Sequence, residues 1–212
     1  MVRVIRPVDT RLVLRHVTGR LPGWIPFAMH FGLIGAYTGF VAIYAVPYLM
    51  ATHHLSRVAA GGVESIAMLG SVLGGPLAGW VADRFGPARP AFLVALVALA
   101  GWLVLALWPE APLVLTAGAL SLTAVAAGGS MLTFAVVKAW FPPTEVGSAT
   151  GLANTGGFVA AAVFPLVVGR LIADGWTVAL LPGLGFTLVG LAATLAVRWW
   201  DGRTAVTLAG RA

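Results

Sequence analysis

Six long apolar stretches constrain the fold of this chain more than any other feature of its sequence. A hydrocarbon core of about 30 Å requires roughly 20 helical residues, and each stretch approaches or exceeds that length. A bilayer offers the backbone no hydrogen-bond partners, and a helix satisfies its own backbone groups. We therefore predict an all-α membrane protein with six transmembrane helices, at about 24–50, 58–82, 91–108, 113–138, 147–172 and 177–197.

The composition agrees with a chain that lies mostly in the bilayer. Of the 212 residues, 59% are hydrophobic and 9% are charged, which is well outside the usual range for a soluble domain. The mean hydropathy is +0.95. We predict three parts: an Arg-rich N-terminal segment at 1–20, a six-helix transmembrane domain at 21–200 and a cytoplasmic tail at 201–212.

The N-terminal segment has two interpretations. Leu12 and Leu14 lie between Arg11 and Arg15, a pattern that fits a helix on the surface of an anionic membrane. A solvated tail fits equally well. The segment lacks the apolar core of a signal peptide, so we expect no cleavage here.

The basic residues indicate the orientation of the chain. They stand at the ends of apolar stretches rather than on one polar face, which argues against nucleic acid as a partner. With a cytoplasmic N-terminus, 11 of the 13 basic residues lie inside and only Arg57 and Arg170 lie outside. Positive charge concentrates on the cytoplasmic side of membrane proteins, so we predict an inner-membrane protein with both termini cytoplasmic. The inner residues are Arg3, Arg6, Arg11, Arg15, Arg20, Arg84, Arg89, Lys138, Arg198, Arg203 and Arg211.

The order of helix types repeats after the third helix. In each half, a helix with polar side chains comes first, a helix rich in small residues comes second, and a helix with almost no polar residue comes third. Three crossings bring the chain to the opposite face, so the second unit is inverted relative to the first, as in many secondary transporters. We predict two inverted three-helix repeats, at about 24–108 and 113–197, with the apolar third helices as outer supports.

Small residues recur at four-residue spacing in the second helix of each unit. The pairs are Gly70 with Gly74 and Gly75 with Gly79 in one unit, and Gly147 with Gly151, followed by Gly156 and Gly157, in the other. Such spacing lets helix backbones approach closely in a membrane. It predicts close helix packing, with a moving interface as the alternative.

Aromatic and imidazole groups form a stripe along the first helix. His30, Tyr37, Tyr44 and Tyr48 lie within about 40° of one another at 100° per residue. A stripe of this kind can hydrogen-bond a polar solute inside a membrane, and His30, Tyr37 and Tyr44 are candidates for a substrate path. Alternatively, Tyr44 and Tyr48 belong to the aromatic belt at the outer surface.

A second polar stripe follows the fourth helix. Thr116, Thr123, Ser130 and Lys138 lie within about 80° of one another by the same arithmetic. Thr123 and Ser130 join the substrate-path candidates. Lys138 stands at the inner end of the helix, where it can attract an anionic solute or extend to the lipid headgroups.

Two further polar residues lie within apolar helices. Glu64 is the only acid well inside an apolar stretch and shares a face with Ser71, so we regard it as a proton-coupling candidate. Asn154 shares a face with Thr150 in the fifth helix and can bond a neighbouring helix or a solute. Asn154 is the last of the substrate-path candidates.

The sequence gives little support for an enzyme. It contains no cysteine and no H-E-x-x-H zinc motif, and residues 128–132 do not match the G-x-S-x-G pattern of a serine nucleophile. His53 and His54 have no acidic neighbour in sequence. We predict no catalytic site, no metal and no cofactor.

The junction between the second and third helices carries a recognisable signature. Its sequence, GWVADRFGPAR at 79–89, resembles the G-x3-D-R-x-G-x2-R motif that the major facilitator superfamily places between helices 2 and 3, with a weaker copy between helices 8 and 9. Residues 46–50 and 141–157 look like helix 7 and the start of helix 11 of bacterial members. The resemblance covers about residues 24–197 and corresponds to the C-terminal six-helix half of such a transporter.

The resemblance implies that this loop gates the cytoplasmic face. The gate candidates are Gly79, Asp83, Arg84, Gly86 and Arg89, with the glycines permitting the turn. The two positions after Gly86 hold proline and alanine, where family members often have basic residues. An ordinary positive-inside turn is the alternative.

The same resemblance implies a function. It indicates a secondary transporter, such as a symporter, of a small polar or anionic solute. Because members of this family normally have two six-helix halves, it also implies association with a second half, either another copy of this chain or a separate N-terminal half. The alternative is a non-transporting membrane subunit or scaffold, or an inactive transporter fragment.

Overall fold

The fold consists of helices that run back and forth across one bundle. A computed structural model describes the backbone of residues 10–209 and the side chains of residues 11–201. Within these residues the regular structure is entirely helical, and six helical spans are long and apolar enough to cross a bilayer, as predicted. The helices are α1 (Thr10–Thr18), α2 (Leu21–His30), a π-helical segment (Phe31–Gly35), α3 (Ala36–Ile43), α4 (Ala45–His53), α5 (Arg57–Phe85), α6 (Ala88–Leu107), α7 (Leu113–Gly129), α8 (Leu132–Trp140), α9 (Pro143–Leu171), a 3-10 turn (Ile172–Asp174) and α10 (Trp176–Ala209).

The six spans are named in chain order. Span 1 comprises α2, the π-helical segment, α3 and α4, and span 4 comprises α7 and α8. Spans 2, 3, 5 and 6 are α5, α6, α9 and α10. The end of the bundle that carries the turn at 83–89 is called the motif end, and the other end is called the opposite end.

The spans pack in two layers that repeat the predicted internal symmetry. Span 2 packs on span 4, and span 5 packs on span 1. Span 3 lies against span 4, span 6 lies against span 1, and spans 3 and 6 contact each other. Each of these contacts between the two units thus has a symmetry-related counterpart, which confirms the two inverted three-helix repeats. Spans 2, 4, 1 and 5 form a front layer, and the apolar spans 3 and 6 support it from behind.

Glycines set the closest approaches between spans. A Cβ on Gly74 would meet the Val125 backbone of span 4, and a Cβ on Gly32 would meet the Gly190 backbone of span 6. Since these contacts involve backbone, neither position tolerates a side chain without movement of a helix. The predicted close packing is therefore seen at Gly70 and Gly74, and in span 5 at Gly156 and Gly157. Gly79, Gly147 and Gly151 instead have no atom of the described residues within 4 Å of a Cβ position.

The N-terminal segment includes a helix that is docked at the motif end. Nδ1 of His16 lies 2.7 Å from Oε1 of Glu145 at the start of α9. Val17 is fully buried, and the indole N–H of Trp24 donates to the Thr18 carbonyl at 2.8 Å. Leu12 is exposed, which agrees with a helix on the membrane surface. The part of this predicted segment at 1–9 lies outside the described residues.

The sixth span continues into the predicted C-terminal tail. Helix α10 runs without interruption to Ala209, so the boundary proposed near residue 200 does not coincide with the end of a helix. Trp140 and Asp201 tie this region to span 4, because the indole N–H donates to a carboxylate oxygen at 2.8 Å. Residues 210–212 lie outside the described part of the chain.

The first span of each unit is broken. In span 1 the helix widens to a π-helix at Phe31–Gly35 and breaks at Tyr44. In span 4 it breaks at Ser130 and Met131, between α7 and α8. The break at Tyr44 and the break at Ser130 both lie in the second part of their span. Because the two units are inverted, the first is nearer the opposite end and the second is nearer the motif end. Breaks of this kind free backbone groups and redirect the side chains that follow them.

Candidate functional site

A cavity of about 150 Å³ lies between span 1 and span 5. We call it the His30 cavity. Thr38 and Phe158 at its rim are exposed, so the cavity opens at the surface of the bundle. Its lining residues are His30, Ile34, Thr38, Asn154, Gly157, Phe158 and Ala161.

The contacts of His30 place this cavity on the front layer. The imidazole lies 5.0 Å from the ring of Phe134 in span 4, measured between centroids, and packs on Gly157 of span 5, where a Cβ would approach the ring to 2.8 Å. Gly32, on the other side of the same helix, packs on Gly190 of span 6. His30 therefore faces the groove between spans 4 and 5, away from the back layer.

Three kinds of polar group meet at the cavity. The imidazole of His30 is 2% exposed, and its Nδ1 has no hydrogen-bond partner among the described residues. The Asn154 side chain and the Ser130 backbone lie beside the ring, and Thr38 adds a hydroxyl. The arrangement is suited to hydrogen-bonding a small polar solute.

The π-helical segment changes which residue shares the face of His30. In a regular α-helix, Tyr37, which is seven residues after His30, would lie on the same face as His30. A π-turn adds one residue, so the eighth residue, Thr38, takes that place and lines the cavity. Tyr37 instead packs against Ala124 and Ala127 of span 4. Thr38 was missed from the sequence, although the glycines of the π-helical segment were a signal for an irregular turn.

The two other tyrosines of the predicted stripe are used in packing. The Tyr44 hydroxyl donates to the Pro165 carbonyl at 3.0 Å, and the fully buried Tyr48 donates to the Pro109 carbonyl at 2.9 Å. Because the helix breaks at Tyr44, neither side chain continues the face of His30. The structure places neither Tyr44 nor Tyr48 at the cavity.

The second predicted stripe is divided in the same way. The Thr123 hydroxyl donates to the Leu120 carbonyl at 2.8 Å, and its methyl group faces Gly101 of span 3. Thr123 thus lies in the seam with the back layer, away from the cavity. The Ser130 hydroxyl donates to the Ala127 carbonyl at 2.6 Å, and only its backbone approaches His30. Lys138 is exposed near the end of the span, so its position fits extension to the headgroups.

Glu64 lies apart from the His30 cavity. It is half-buried about two turns into α5. The Tyr37 hydroxyl is buried and has no hydrogen-bond partner among the described residues. Glu64 and Tyr37 are thus two further polar groups of the front layer, and neither residue lines the His30 cavity.

A histidine closes the opposite end of the front layer. Nε2 of His53 lies 3.1 Å from Oγ1 of Thr116 at the start of span 4, and Thr116 donates to the Ala111 carbonyl at 3.2 Å. Thr116 thus joins the ends of two spans, which explains its polarity without a solute.

The turn between spans 2 and 3 presents its charges outward. Gly86 has φ 74°, a left-handed conformation that favours glycine. Asp83, Arg84 and Arg89 are exposed, and none of the three forms an ion pair within the described residues. Arg84 lies over the Trp80 ring at 3.9 Å from its centroid. The charged groups of the predicted gate are free to contact a partner.

Comparison with known proteins decides the family. The profile described as Major Facilitator Superfamily matches residues 27–210, which include all six spans except the first few residues of span 1. The chain belongs to the major facilitator superfamily. This membership confirms the resemblance of the motif at 79–89, and the six helices in two inverted repeats are one half of the fold of a major facilitator protein.

Two curated relatives of this chain are transporters by name. A probable nitrate/nitrite transporter, NarK2, of Mycobacterium tuberculosis is 34% identical over 185 residues, which are 82% of this chain and 44% of the relative. A gentisate transporter of Corynebacterium glutamicum is 33% identical over 128 residues, which are 60% of this chain and 28% of the relative. The chain thus spans less than half the length of these relatives.

Water access to the His30 cavity can be tested by cysteine labelling, because the chain has no native cysteine. We expect a cysteine at Asn154 or Thr38 to react with a polar maleimide at least about tenfold faster than one at Thr123, since thiolates form only where water reaches. The control position, Thr123, also lies within a transmembrane span, but its side chain faces Gly101 in a packed seam. Equal labelling rates at Thr123 and Asn154 in membranes would contradict an open cavity.

Proposed function

We propose that this chain is the C-terminal half of a secondary transporter that moves a small polar or anionic solute through the His30 cavity. Membership of the superfamily supports transport, and the cavity supplies a polar position on the face where a second half would lie. The observation that carries the proposal is the polar lining of this cavity, where the His30 imidazole, the Asn154 amide and the Thr38 hydroxyl meet. Of the other sequence candidates, Ser130 remains beside this path, whereas Tyr37, Tyr44 and Thr123 act in packing.

An anion fits the relatives and the donors of the cavity. Nitrate, nitrite and gentisate, named for the relatives, are all anions. The cavity offers an imidazole, an amide and a hydroxyl, which can all donate hydrogen bonds. The cavity has no fixed positive charge, because none of the basic residues among 11–201 lines it. A proton or the second half must therefore neutralise an anion there. These basic residues are Arg11, Arg15, Arg20, Arg57, Arg84, Arg89, Lys138, Arg170 and Arg198.

The second half is placed on the front layer. Polar groups there, at Thr38, Glu64 and Asn154, are at least partly accessible, and they are unfavourable against lipid. The open glycines Gly147 and Gly151 add a surface to which another helix can approach closely. The partner is either a second copy of this chain or a separate N-terminal six-helix half, and the front layer is the interface in both cases.

The orientation follows from the charges. The motif end holds most of the basic residues, so it is the cytoplasmic end and both termini are cytoplasmic. In this orientation the exposed Asp83, Arg84 and Arg89 face the cytoplasm as the gate of this half, and Gly86 provides the turn. We infer that the host membrane is the cell (inner) membrane.

The competing function is a membrane subunit or scaffold without a permeation path. Uptake of nitrate or gentisate into proteoliposomes distinguishes the two, with the chain reconstituted alone and together with a separately expressed N-terminal half. We expect uptake above that of empty vesicles in at least the second preparation, under an imposed proton or solute gradient. No uptake in either preparation, from protein that is folded and inserted, would favour the scaffold.

Glu64 is proposed as the proton-coupling residue of this half. Replacing it with glutamine keeps the size of the side chain and removes its ability to exchange a proton. We expect Glu64→Gln to abolish the response of uptake to an imposed proton gradient while solute exchange without a gradient continues. Glu110→Gln, an exposed acid between spans 3 and 4, is the matched control. An unchanged response in Glu64→Gln would remove this residue from coupling.

A further inference from the structure

A second cavity lies on the side of the bundle, between spans 2 and 3. It has a volume of about 160 Å³, and its lining consists entirely of apolar residues. Leu77 of span 2 and Leu93 of span 3 form its exposed rims, and Val125 of span 4 forms its floor. We call it the lateral groove. It is separate from the His30 cavity and from the interface of the front layer.

The position of the lateral groove exposes it to lipid. Span 2 packs with one side on span 4, and span 3 lies behind span 4. The groove is therefore at the outer edge of the bundle, where a second half on the front layer would not cover it. A lining without polar side chains suits an acyl chain and does not suit a polar solute.

Two arginines stand at the motif end of the lateral groove. Arg84 follows the groove residue Val81 by one turn, and Arg89 precedes Leu93 by one turn, so each shares a helix face with the groove. Both side chains are exposed, and neither pairs with an acid in the described part of the chain. Asp83 is the acid of this turn and lies about 200° around the helix from Val81, directed away from the groove.

We propose that the lateral groove and these two arginines bind one anionic phospholipid. An acyl chain occupies the apolar groove, and the phosphate contacts Arg84 and Arg89. Arginine matches phosphate with a fork of N–H donors, and basic clusters beside helices at the cytoplasmic surface bind anionic headgroups. The assignment of this lipid to the cytoplasmic leaflet rests on the proposed orientation, whereas the binding site itself does not depend on transport. Arg84 packs on the Trp80 ring, a contact that suits a basic side chain at a membrane surface.

The proposal is tested by lipid binding to the purified chain in detergent, measured by native mass spectrometry. Phosphatidylglycerol is the anionic probe and phosphatidylcholine is the zwitterionic reference. The double variant Arg84→Gln/Arg89→Gln should lose about 30-fold in affinity for phosphatidylglycerol, since each basic residue contributes about a factor of five. The matched control, Arg57→Gln/Arg170→Gln at the opposite end, should stay within about twofold of the native chain. Equal losses in the two double variants, or no loss in the first, would overturn the proposal.

The groove itself is tested by filling it. Leu93→Trp should weaken binding of both lipids by about fourfold for each methylene that the ring excludes, and Leu166→Trp, on the exposed face of span 5, should not. Leu77→Trp makes the same test if Leu93→Trp does not give a monodisperse protein. Glycerol phosphate should not compete with phosphatidylglycerol. Competition at similar concentrations would show a phosphate site without a lipid chain and would contradict the proposal.

Discussion

Gly32→Val is expected to destabilise the six-helix bundle by about 3 kcal/mol, at the upper end of the usual cost of overpacking. A Cβ at this position would clash with the backbone of Gly190 and with the carbonyl oxygen of Phe186 in span 6. Backbone atoms cannot change rotamer to make room, so spans 1 and 6 have to separate. Thermal unfolding in detergent, followed by tryptophan fluorescence, measures the change.

Gly185→Val is the matched control for this prediction. Gly185 lies in the same helix as Gly190, but no atom of the described residues lies within 4 Å of its Cβ position. The substitution adds the same side chain to a membrane helix without a clash. We expect its melting temperature to equal or exceed that of the native chain, because valine has a higher helix propensity than glycine. Similar melting temperatures for the two variants would show that the crossing of spans 1 and 6 is looser than described.

His30→Leu is expected to reduce solute uptake by about 10- to 100-fold, since a hydrogen bond to a charged group contributes about 1.5–3 kcal/mol. Leucine has a similar size but cannot donate to an anion. Asn154→Leu should have an effect of the same order, and the double variant should lose less than the product of the two, because the residues share one cavity. Uptake is measured in proteoliposomes that contain this chain together with an N-terminal half.

Thr194→Val controls for the loss of a buried polar group elsewhere. The Thr194 hydroxyl donates to the Leu191 carbonyl of its own helix at 2.8 Å, in the back layer. This variant should transport like the native chain. The shift of melting temperature on adding nitrate or gentisate gives a second readout that does not require transport. If His30→Leu retained both uptake and this shift, the solute path would lie outside the His30 cavity.

Much of the architecture could be predicted because it depends on local sequence and on the solvent. The apolar runs had to become helices long enough to cross a bilayer, and the positions of the six spans agree with the sequence. The order of helix types predicted the inverted repeat, since the polarity of a helix decides whether it can face lipid. The turn at Gly86 followed from the same motif that identified the family.

The candidate site was only partly predictable, because helical arithmetic assumes an unbroken α-helix. His30 and Asn154 meet at one cavity, as the sequence suggested, but Thr38 stands where Tyr37 was expected. The break at Tyr44 similarly removes Tyr44 and Tyr48 from the predicted stripe. One residue inserted into a helical turn rotates the side chains that follow it by about 100° around the helix axis. The hydropathy of the sequence does not predict such an insertion.

The sequence by itself determined the number of spans, their repeat and the positions of the basic residues relative to the ends of the helices. These depend on the transfer of each residue between water and lipid, which is a property of the residue alone. Only the tertiary structure decided which polar groups share a cavity and which lie in a packed seam. That choice depends on the contacts between spans, where Gly157 makes room for His30 and Gly101 faces Thr123.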